Sequence, residues 1–193
     1  MDLYSLFYIK KNKVNSMYTS KLEIGEKQFK GTLDMYVLKD IQEDLSKLDI
    51  YTTIPNIFTK LSKLDMTYIS SLVLKSISRI DESLEKEFLE IYLREREDEL
   101  ENINMFNSIF IYINDLMDKC IPKSNSKEKE SIFEDEYLLY EDIDWELDYM
   151  EYVWNSVIGR NDNFWNITPK NYFEQIEIYK KFNNIKTEEV EMF

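Results

Sequence analysis

The residue types that usually carry catalysis or bind metals are scarce in this sequence. The chain of 193 residues has no histidine and one cysteine, Cys120. This excludes Ser-His-Asp and Cys-His catalysis, histidine general bases, His/Cys zinc sites and disulfide scaffolds. The three glycines, Gly25, Gly31 and Gly159, lie too far apart for a phosphate-binding loop or a dinucleotide-binding turn. We therefore predict that the protein is not an enzyme and that it has no cofactor.

Carboxylates are numerous, and one series has the spacing of the first half of a calcium loop: Asp142, Asp144, Glu146 and Asp148. In such a loop a glycine makes the sharp turn and a glutamate supplies the last two oxygen ligands. Leu147 and Val153 occupy those two positions here. On a helix the four carboxylates would not converge, so we predict no metal site.

The charge balance limits the class of partner. With 38 acidic and 24 basic residues, the net charge is −14, which disfavours binding to nucleic acid or to an anionic membrane surface. No segment approaches the length of about 20 apolar residues that a membrane span needs. The apolar run at residues 3–9 is followed, not preceded, by lysines, which is the wrong order for a secretory signal. We therefore expect a cytoplasmic protein with Cys120 as a buried or idle thiol.

The chain begins with β-structure and continues as helices. Residues 3–9 are a short apolar run, and Leu22 and Ile24 alternate with charged residues as a half-buried strand does. Gly25 and Glu26 fit a tight turn before Phe29. From residue 33 onward the apolar residues recur with helical spacing. The predicted fold class is mainly α with a small N-terminal β-segment (α+β), a helical bundle followed by a C-terminal helical hairpin.

Start signals divide residues 33–119 into successive helices. The predicted caps and first-turn residues, in chain order, are Thr32, Pro55, Asp65 and either Asp81 or Ser83. Residues 103–117 are apolar nearly all round, which predicts the central helix of the bundle. Pro122 ends this helix, and residues 123–131 are polar and rich in serine, lysine and glutamate. We predict an N-terminal module at 1–122, a linker at 123–131 and a C-terminal module at 132–193.

The C-terminal module is acidic and aromatic. One face of its first predicted helix carries Ile143, Leu147, Met150, Trp154, Val157 and Ile158. Gly159 is placed to end this helix, and Thr168 with Pro169 is placed to begin the next. The loop between them, residues 160–167, closes the predicted hairpin. Phe164 and Trp165 in this loop can pack back on the second helix.

Trp145, Tyr149 and Tyr152 fall on the opposite face of that first helix, and two interpretations are open. Either these rings are covered by the N-terminal module or by residues 133–140, or they form a partner-binding stripe bordered by charge. The candidate partner-binding residues are Trp145, Tyr149, Tyr152, Phe164 and Trp165.

The C-terminal sequence resembles the extension of phage tail assembly chaperones. Residues 144–154, DWELDYMEYVW, and residues 164–169, FWNITP, followed by Tyr172 and Phe173, carry this resemblance. In that family of long-tailed phages, the long form often arises by a programmed frameshift that appends a second module. The resemblance implies a non-enzymatic protein that coats the tape measure protein, recruits major tail-tube subunits and leaves the finished virion. It also implies the cytoplasm of a bacterial host.

A physical argument is compatible with that role. A tape measure protein is a long helix with apolar stripes, and it is liable to aggregate before the tail tube encloses it. A chaperone for it needs exposed apolar side chains and a strong like charge. The alternative is an acidic inhibitor, such as an anti-defence protein that mimics nucleic acid. An unassigned interaction protein is a further alternative.

Overall fold

The computed structural model describes residues 18–95, 97, 99–122 and 144–185. Five sequence-based predictions lie outside these ranges: the strand at residues 3–9, the linker at 123–131, the cover of the aromatic rings by residues 133–140, and the positions of Asp142 and Ile143. The division into two modules at that linker therefore stays a prediction.

The described chain begins with an antiparallel hairpin of strands β1 (Thr19–Ile24) and β2 (Lys27–Thr32). Leu22 pairs with Phe29, and both side chains are buried. Gly25 starts the two-residue loop with φ of +55°, a value that glycine adopts without a steric penalty. The predicted turn at Gly25 and Glu26 is confirmed.

Seven α-helices follow in the described ranges, so the predicted mainly-α class with a small sheet is confirmed. They are α1 (Met35–Lys47), α2 (Ile54–Ser62), α3 (Met66–Ser78), α4 (Ser83–Glu95), α5 (Glu99–Cys120), α6 (Leu147–Tyr152) and α7 (Pro169–Phe182). Helix α6 continues as a π-helical turn, Val153–Val157, and a 3₁₀ turn, Phe164–Asn166, precedes α7. None of the described helices combines the length and hydropathy that a membrane span needs.

The cap of α1 differs from the prediction. Thr32 is not the N-cap, because β2 continues through it and its hydroxyl donates to the Tyr18 carbonyl oxygen at 2.9 Å. Asp34 caps the helix instead, and its Oδ1 accepts a hydrogen bond from the Val37 amide at 3.0 Å. The strand pairing therefore delays the start of the helix.

The other predicted helix starts agree with the structure. Pro55 lies in the first turn of α2 behind the N-cap Thr53, and Asp65 caps α3. At the start of α4, the Asp81 carboxylate accepts a hydrogen bond from the Ser83 amide at 2.9 Å. These signals are local, because each involves residues within one helical turn.

The core of residues 18–122 lies between the hairpin and the inner faces of the helices. The hairpin packs against α5 and α3, and α1 packs against α3. On α5, Met105, Ile109 and Leu116 are buried, whereas Ile103 and Ile111 are 54% and 69% exposed. The helix predicted to be the central one of the bundle therefore packs against the hairpin, α4 and α7 but leaves part of its apolar surface exposed.

One polar contact lies at the centre of this core. The Tyr112 ring is fully buried on α5, and its hydroxyl lies 2.7 Å from Ser76 Oγ on α3. Gly31 of β2 passes so close that a Cβ there would lie 1.8 Å from the Tyr112 hydroxyl oxygen. Burial raises the pKa of Tyr112, so the ring stays neutral and can donate to its partner.

The C-terminal residues form two helical segments that pack on each other and on the rest of the chain. The Trp154 and Tyr172 rings lie 6.2 Å apart, while α7 contacts α5 and the 3₁₀ turn contacts α1. Gly159 ends the first segment with φ of +75°, and the Thr168 hydroxyl caps α7, as predicted. Val157 was predicted on the same face as Leu147, Met150 and Trp154, but it is 41% exposed whereas those three side chains are buried. The π-helical turn shifts the register of this last part of the helix.

Candidate partner-binding surface

Trp145 lies before α6 and not on it. Its ring packs against Phe58 of α2 at 6.1 Å and against Phe173 of α7 at 5.5 Å. The predicted helical stripe of Trp145, Tyr149 and Tyr152 is therefore wrong as a helix face, because the helix begins only at Leu147.

Asp144 explains why the chain is not yet helical at Trp145. Its Oδ1 accepts a hydrogen bond from the Ile54 amide at 2.8 Å, and its other oxygen accepts from the Gln42 side chain. The Ile54 amide is in the first turn of α2, where backbone donors have no partner within the helix. The positive end of the α2 dipole also favours a carboxylate. Asp144 thus attaches the chain to α1 through Gln42 and to α2 through Ile54 before α6 begins.

Tyr149 and Tyr152 face outward from α6. Each is 59% exposed, and their rings are stacked with centroids 6.5 Å apart. Glu146 and Asp148 are exposed beside them. Glu151 is turned toward the loop before α7, where its carboxylate accepts a hydrogen bond from Trp165 Nε1 at 3.0 Å.

An open groove of about 400 Å³ lies between α1 and α6. Its lining residues are Lys39, Gln42, Trp145, Glu146, Leu147, Asp148 and Tyr149. Tertiary packing therefore brings Trp145 and Tyr149 to one groove although they do not share a helix face. We name the pair Tyr149 and Tyr152, together with this groove, the aromatic surface.

Phe164 and Trp165 do not line this groove. Phe164 is 1% exposed and packs edge-on against Tyr172 at 5.9 Å, so it belongs to the core and offers no surface to a partner. Trp165 is half-buried, with the Lys39 Nζ 4.7 Å from its ring centroid. Trp165 thus contacts α6 through Glu151, whereas Phe164 packs on α7.

A polar network that the sequence analysis missed joins the loop before α7 to the N-terminal helices. Arg79 Nε donates to Asp34 Oδ2 at 2.7 Å, and Arg79 Nη2 donates to Asn166 Oδ1 at 2.6 Å. The Met35 amide donates to the Ile167 carbonyl oxygen at 2.9 Å. Burial raises the pKa of Asp34, and the neighbouring Arg79 guanidinium opposes this rise. No spacing signal connects residues so distant in the sequence.

Cys120 is buried at the end of α5, as predicted for an idle thiol. Burial raises its pKa to about 12, so the thiol stays protonated at neutral pH and is a poor nucleophile. Burial likewise raises the pKa of Tyr172 to about 12. Within residues 18–95, 97, 99–122 and 144–185, no cluster of three or more acidic or cysteine side chains is placed to hold a metal ion.

Two stacked, exposed tyrosines stand beside a groove lined by Trp145 with carboxylates at its edge, a combination that is typical of protein contact surfaces. Comparisons of the chain with protein-family models, curated proteins and solved structures give no match.

Proposed function

We propose that this protein is a phage tail assembly chaperone, which binds the tape measure protein and recruits tail-tube subunits during tail assembly. The observation that carries the proposal is the exposed, stacked pair Tyr149 and Tyr152 on α6. Tyrosines are frequent anchors at protein interfaces, because a rigid ring contributes a large contact area at little cost in side-chain entropy.

The surroundings of the two tyrosines suit a helix with an apolar stripe and basic flanks. Glu146 and Asp148 supply a polar, negative rim, and the chain as a whole carries a net charge of −14. The rings would cover apolar side chains of the client helix, and the charge would keep the coated complex apart from other copies. A client that aggregates when it is unbound requires both the apolar contact of the rings and the negative charge of the chain.

The alternative, an acidic inhibitor that mimics nucleic acid, requires the carboxylates of residues 130–151 to lie along an exposed ridge. Asp144 is instead bound to the Ile54 amide, and Glu151 accepts a hydrogen bond from Trp165. These two carboxylates satisfy donors of the protein itself. Their engagement favours the chaperone over the mimic.

The direct test is co-purification with the tape measure protein encoded in the same genome. We expect the wild-type chain to bind it. The double variant Tyr149→Ala/Tyr152→Ala should weaken binding about thirtyfold or more, because the loss of even one aromatic anchor typically costs about 2 kcal/mol or more. Tyr51→Ala is the matched control, since Tyr51 is 85% exposed and lies outside the aromatic surface.

The outcomes distinguish an error in the proposed function from an error in the proposed binding surface. If the wild-type chain fails to bind the tape measure protein, the proposed function is wrong. If a well-folded Tyr149→Ala/Tyr152→Ala variant binds as tightly as the wild type, the client contacts another surface. Circular dichroism and thermal unfolding of the variant establish that its fold is intact.

A further inference from the structure

The groove between α1 and α6 combines aromatic and acidic side chains. Its apolar lining comes from Trp145, Leu147 and Tyr149, and its carboxylates are Glu146 and Asp148. The volume of about 400 Å³ can hold one long side chain, whereas a helix, about 10 Å across with its side chains, can only lie over the groove. The occupant of the groove is therefore a single side chain of the bound client.

The two carboxylates of the groove are available to a partner. Glu146 and Asp148 are exposed, and neither side chain forms a hydrogen bond or an ion pair within the described part of the chain. Asp144 and Glu151, on either side of them in the sequence, each accept hydrogen bonds from other parts of the fold. Of these four carboxylates, the two that line the groove together are thus the two that the protein itself does not use.

A cation, Lys39, also lines the groove. Its Nζ lies 4.7 Å from the centroid of the Trp165 ring, and that ring does not line the groove. One ammonium therefore stands against two carboxylates among the described lining residues, and the groove keeps an excess of negative charge. Carboxylates beside aromatic rings favour a cation that can lie over the negative face of a ring.

We propose that this groove binds an arginine side chain of the client, whose identity rests on the function proposed above. The guanidinium stacks on the rings of Trp145 and Tyr149 and donates to Glu146 or Asp148. A guanidinium can do both at once, since its five N–H donors lie in the plane of the group and leave its faces free. A lysine ammonium is more strongly hydrated and offers no planar face to a ring.

The fold contains the same combination of ring, guanidinium and carboxylate elsewhere. The Cζ of Arg79 lies 4.9 Å from the centroid of the Tyr36 ring, and Arg79 Nε donates to Asp34 Oδ2 at 2.7 Å. The described lining of the groove presents the rings and the carboxylates of this arrangement but includes no arginine. Charge complementarity and this internal example both indicate arginine as the occupant.

The first test uses small probes on the full chain and does not need the client. N-acetylarginine amide is titrated into the isotope-labelled protein, and the indole N–H signals of the tryptophans are followed by NMR. The Trp145 signal should shift with a dissociation constant in the millimolar range, because a single stacked ion pair is a weak contact. N-acetyllysine amide should bind several-fold more weakly. N-acetylcitrulline amide, which has nearly the same shape and no charge, should cause no shift.

The other two tryptophans are internal references for this titration. The indole N–H of Trp154 donates to the Asp162 carbonyl oxygen, and that of Trp165 donates to the Glu151 carboxylate. Neither ring lines the groove, so their signals should move less than that of Trp145. No shift with the arginine probe, an equal shift with the citrulline probe, or equal shifts of all three signals would overturn the proposal.

The second test removes the charges of the groove. Glu146→Gln/Asp148→Asn keeps the shape of both side chains, and the Glu146 side chain makes no capping hydrogen bond whose loss would unfold α6. The Trp145 shift should disappear. Binding of the tape measure protein should weaken about tenfold or more, because hydrogen bonds to charged groups typically contribute that much. Glu26→Gln/Asp49→Asn is the matched control. It removes the same charge from two exposed carboxylates outside the groove and should leave both measurements nearly unchanged.

Together the two tests separate this inference from the proposed function. If the arginine probe binds but the tape measure protein does not bind the wild-type chain, the groove selects arginine and the proposed function is wrong. If the tape measure protein binds Glu146→Gln/Asp148→Asn as tightly as the wild type, the inference is wrong and the proposed function stands. An equal loss with Glu26→Gln/Asp49→Asn would mean that binding depends on the overall charge, and it would also overturn the inference.

Discussion

The region of residues 18–122 and the region of residues 144–185 bury their side chains in different ways. The first region combines aliphatic faces of α1, α2, α3 and α5 with the hairpin, and most of its fully buried residues are leucine, isoleucine, valine and methionine. The second region depends on rings: Trp154, Phe164 and Tyr172 are buried, with Trp145, Trp165 and Phe173 packed around them. The first is a layered core, whereas the second is a cluster of aromatic contacts on its surface.

The two regions meet where helices end. Asp144 binds the amide at the start of α2, and Ile167 accepts from the amide at the start of α1. Arg79, at the end of α3, bridges Asp34 and Asn166. Helix ends carry backbone groups without partners inside the helix, and the C-terminal region attaches by satisfying several of them. Changes in the first core should therefore unfold the whole chain, and changes at these attachments should act mainly on the second region.

The largest effect is expected from Gly31→Ala in the first core. The new Cβ would lie 1.8 Å from the Tyr112 hydroxyl oxygen and 3.0 Å from the Ser76 backbone. We expect a loss of about 3 kcal/mol or more in the free energy of unfolding, measured by urea denaturation. The double variant Gly31→Ala/Tyr112→Phe should recover part of this loss, because the clashing oxygen is removed. A Gly31→Ala chain as stable as the wild type would mean that Tyr112 is not held at this position.

The next effect is expected at the attachment between the regions. Arg79→Met leaves the Asp34 carboxylate, whose side chain is 2% exposed, buried without its cationic partner. We expect a loss of about 3 kcal/mol in unfolding free energy at pH 7. Adding Asp34→Asn should recover much of it, because a neutral asparagine oxygen can still cap the Val37 amide.

This attachment also predicts a pH dependence. Burial holds the pKa of Asp34 above its ordinary value, so the native state binds the proton more tightly than the unfolded state does. The contribution of the protonated Asp34 to the free energy of unfolding is therefore complete below the ordinary carboxyl pKa of about 4. It declines as pH rises through the native pKa of Asp34. Without Arg79 the native pKa rises further, so the loss caused by Arg79→Met should be smaller in acid than at pH 7. A loss that is equal at both pH values would contradict this account.

A smaller effect is expected from Trp165→Ala in the second region. The substitution removes the ring that lies 5.2 Å from Phe164, the hydrogen bond to Glu151 and the contact with Lys39. Because the ring is half-buried, we expect a loss of about 2 kcal/mol, less than for a fully buried tryptophan. Hydrogen exchange should accelerate around α6 and α7 more than in α1 and α3. Uniform acceleration along the whole chain would show that the regions are not separable in this way.

The smallest effects are expected at two equivalent helix N-caps. Thr53 and Thr168 each accept a hydrogen bond from the amide three residues later, at 3.1 Å from Asn56 and 3.2 Å from Asn171. Thr53→Ala and Thr168→Ala should each cost about 1 kcal/mol. Limited proteolysis should then separate them: cleavage near α7 should increase with Thr168→Ala and stay unchanged with Thr53→Ala. The same cleavage pattern for both would mean that the two regions open together.

Much of the fold was predictable because its signals are local. The caps at Asp65 and Thr168, the turn at Gly25 and the helix end at Gly159 each depend on residues within one turn of each other. The one wrong cap, Thr32, is the case in which strand pairing across the hairpin competes with the helix start. The candidate site was predicted less well. Among the candidate partner-binding residues, Tyr149 and Tyr152 are exposed, but Phe164 is buried in the core.

The sequence by itself determined the helical periods, the position of the hairpin turn, most helix starts and the acidic character of the chain. Only the tertiary structure decided that Trp145 leaves the helix to pack between Phe58 and Phe173, and that Asp34, Arg79 and Asn166 form one network. It also decided which face of α5 stays exposed. The physical reason is that local backbone preferences depend on neighbours in the chain, whereas burial depends on which distant elements supply the covering surface.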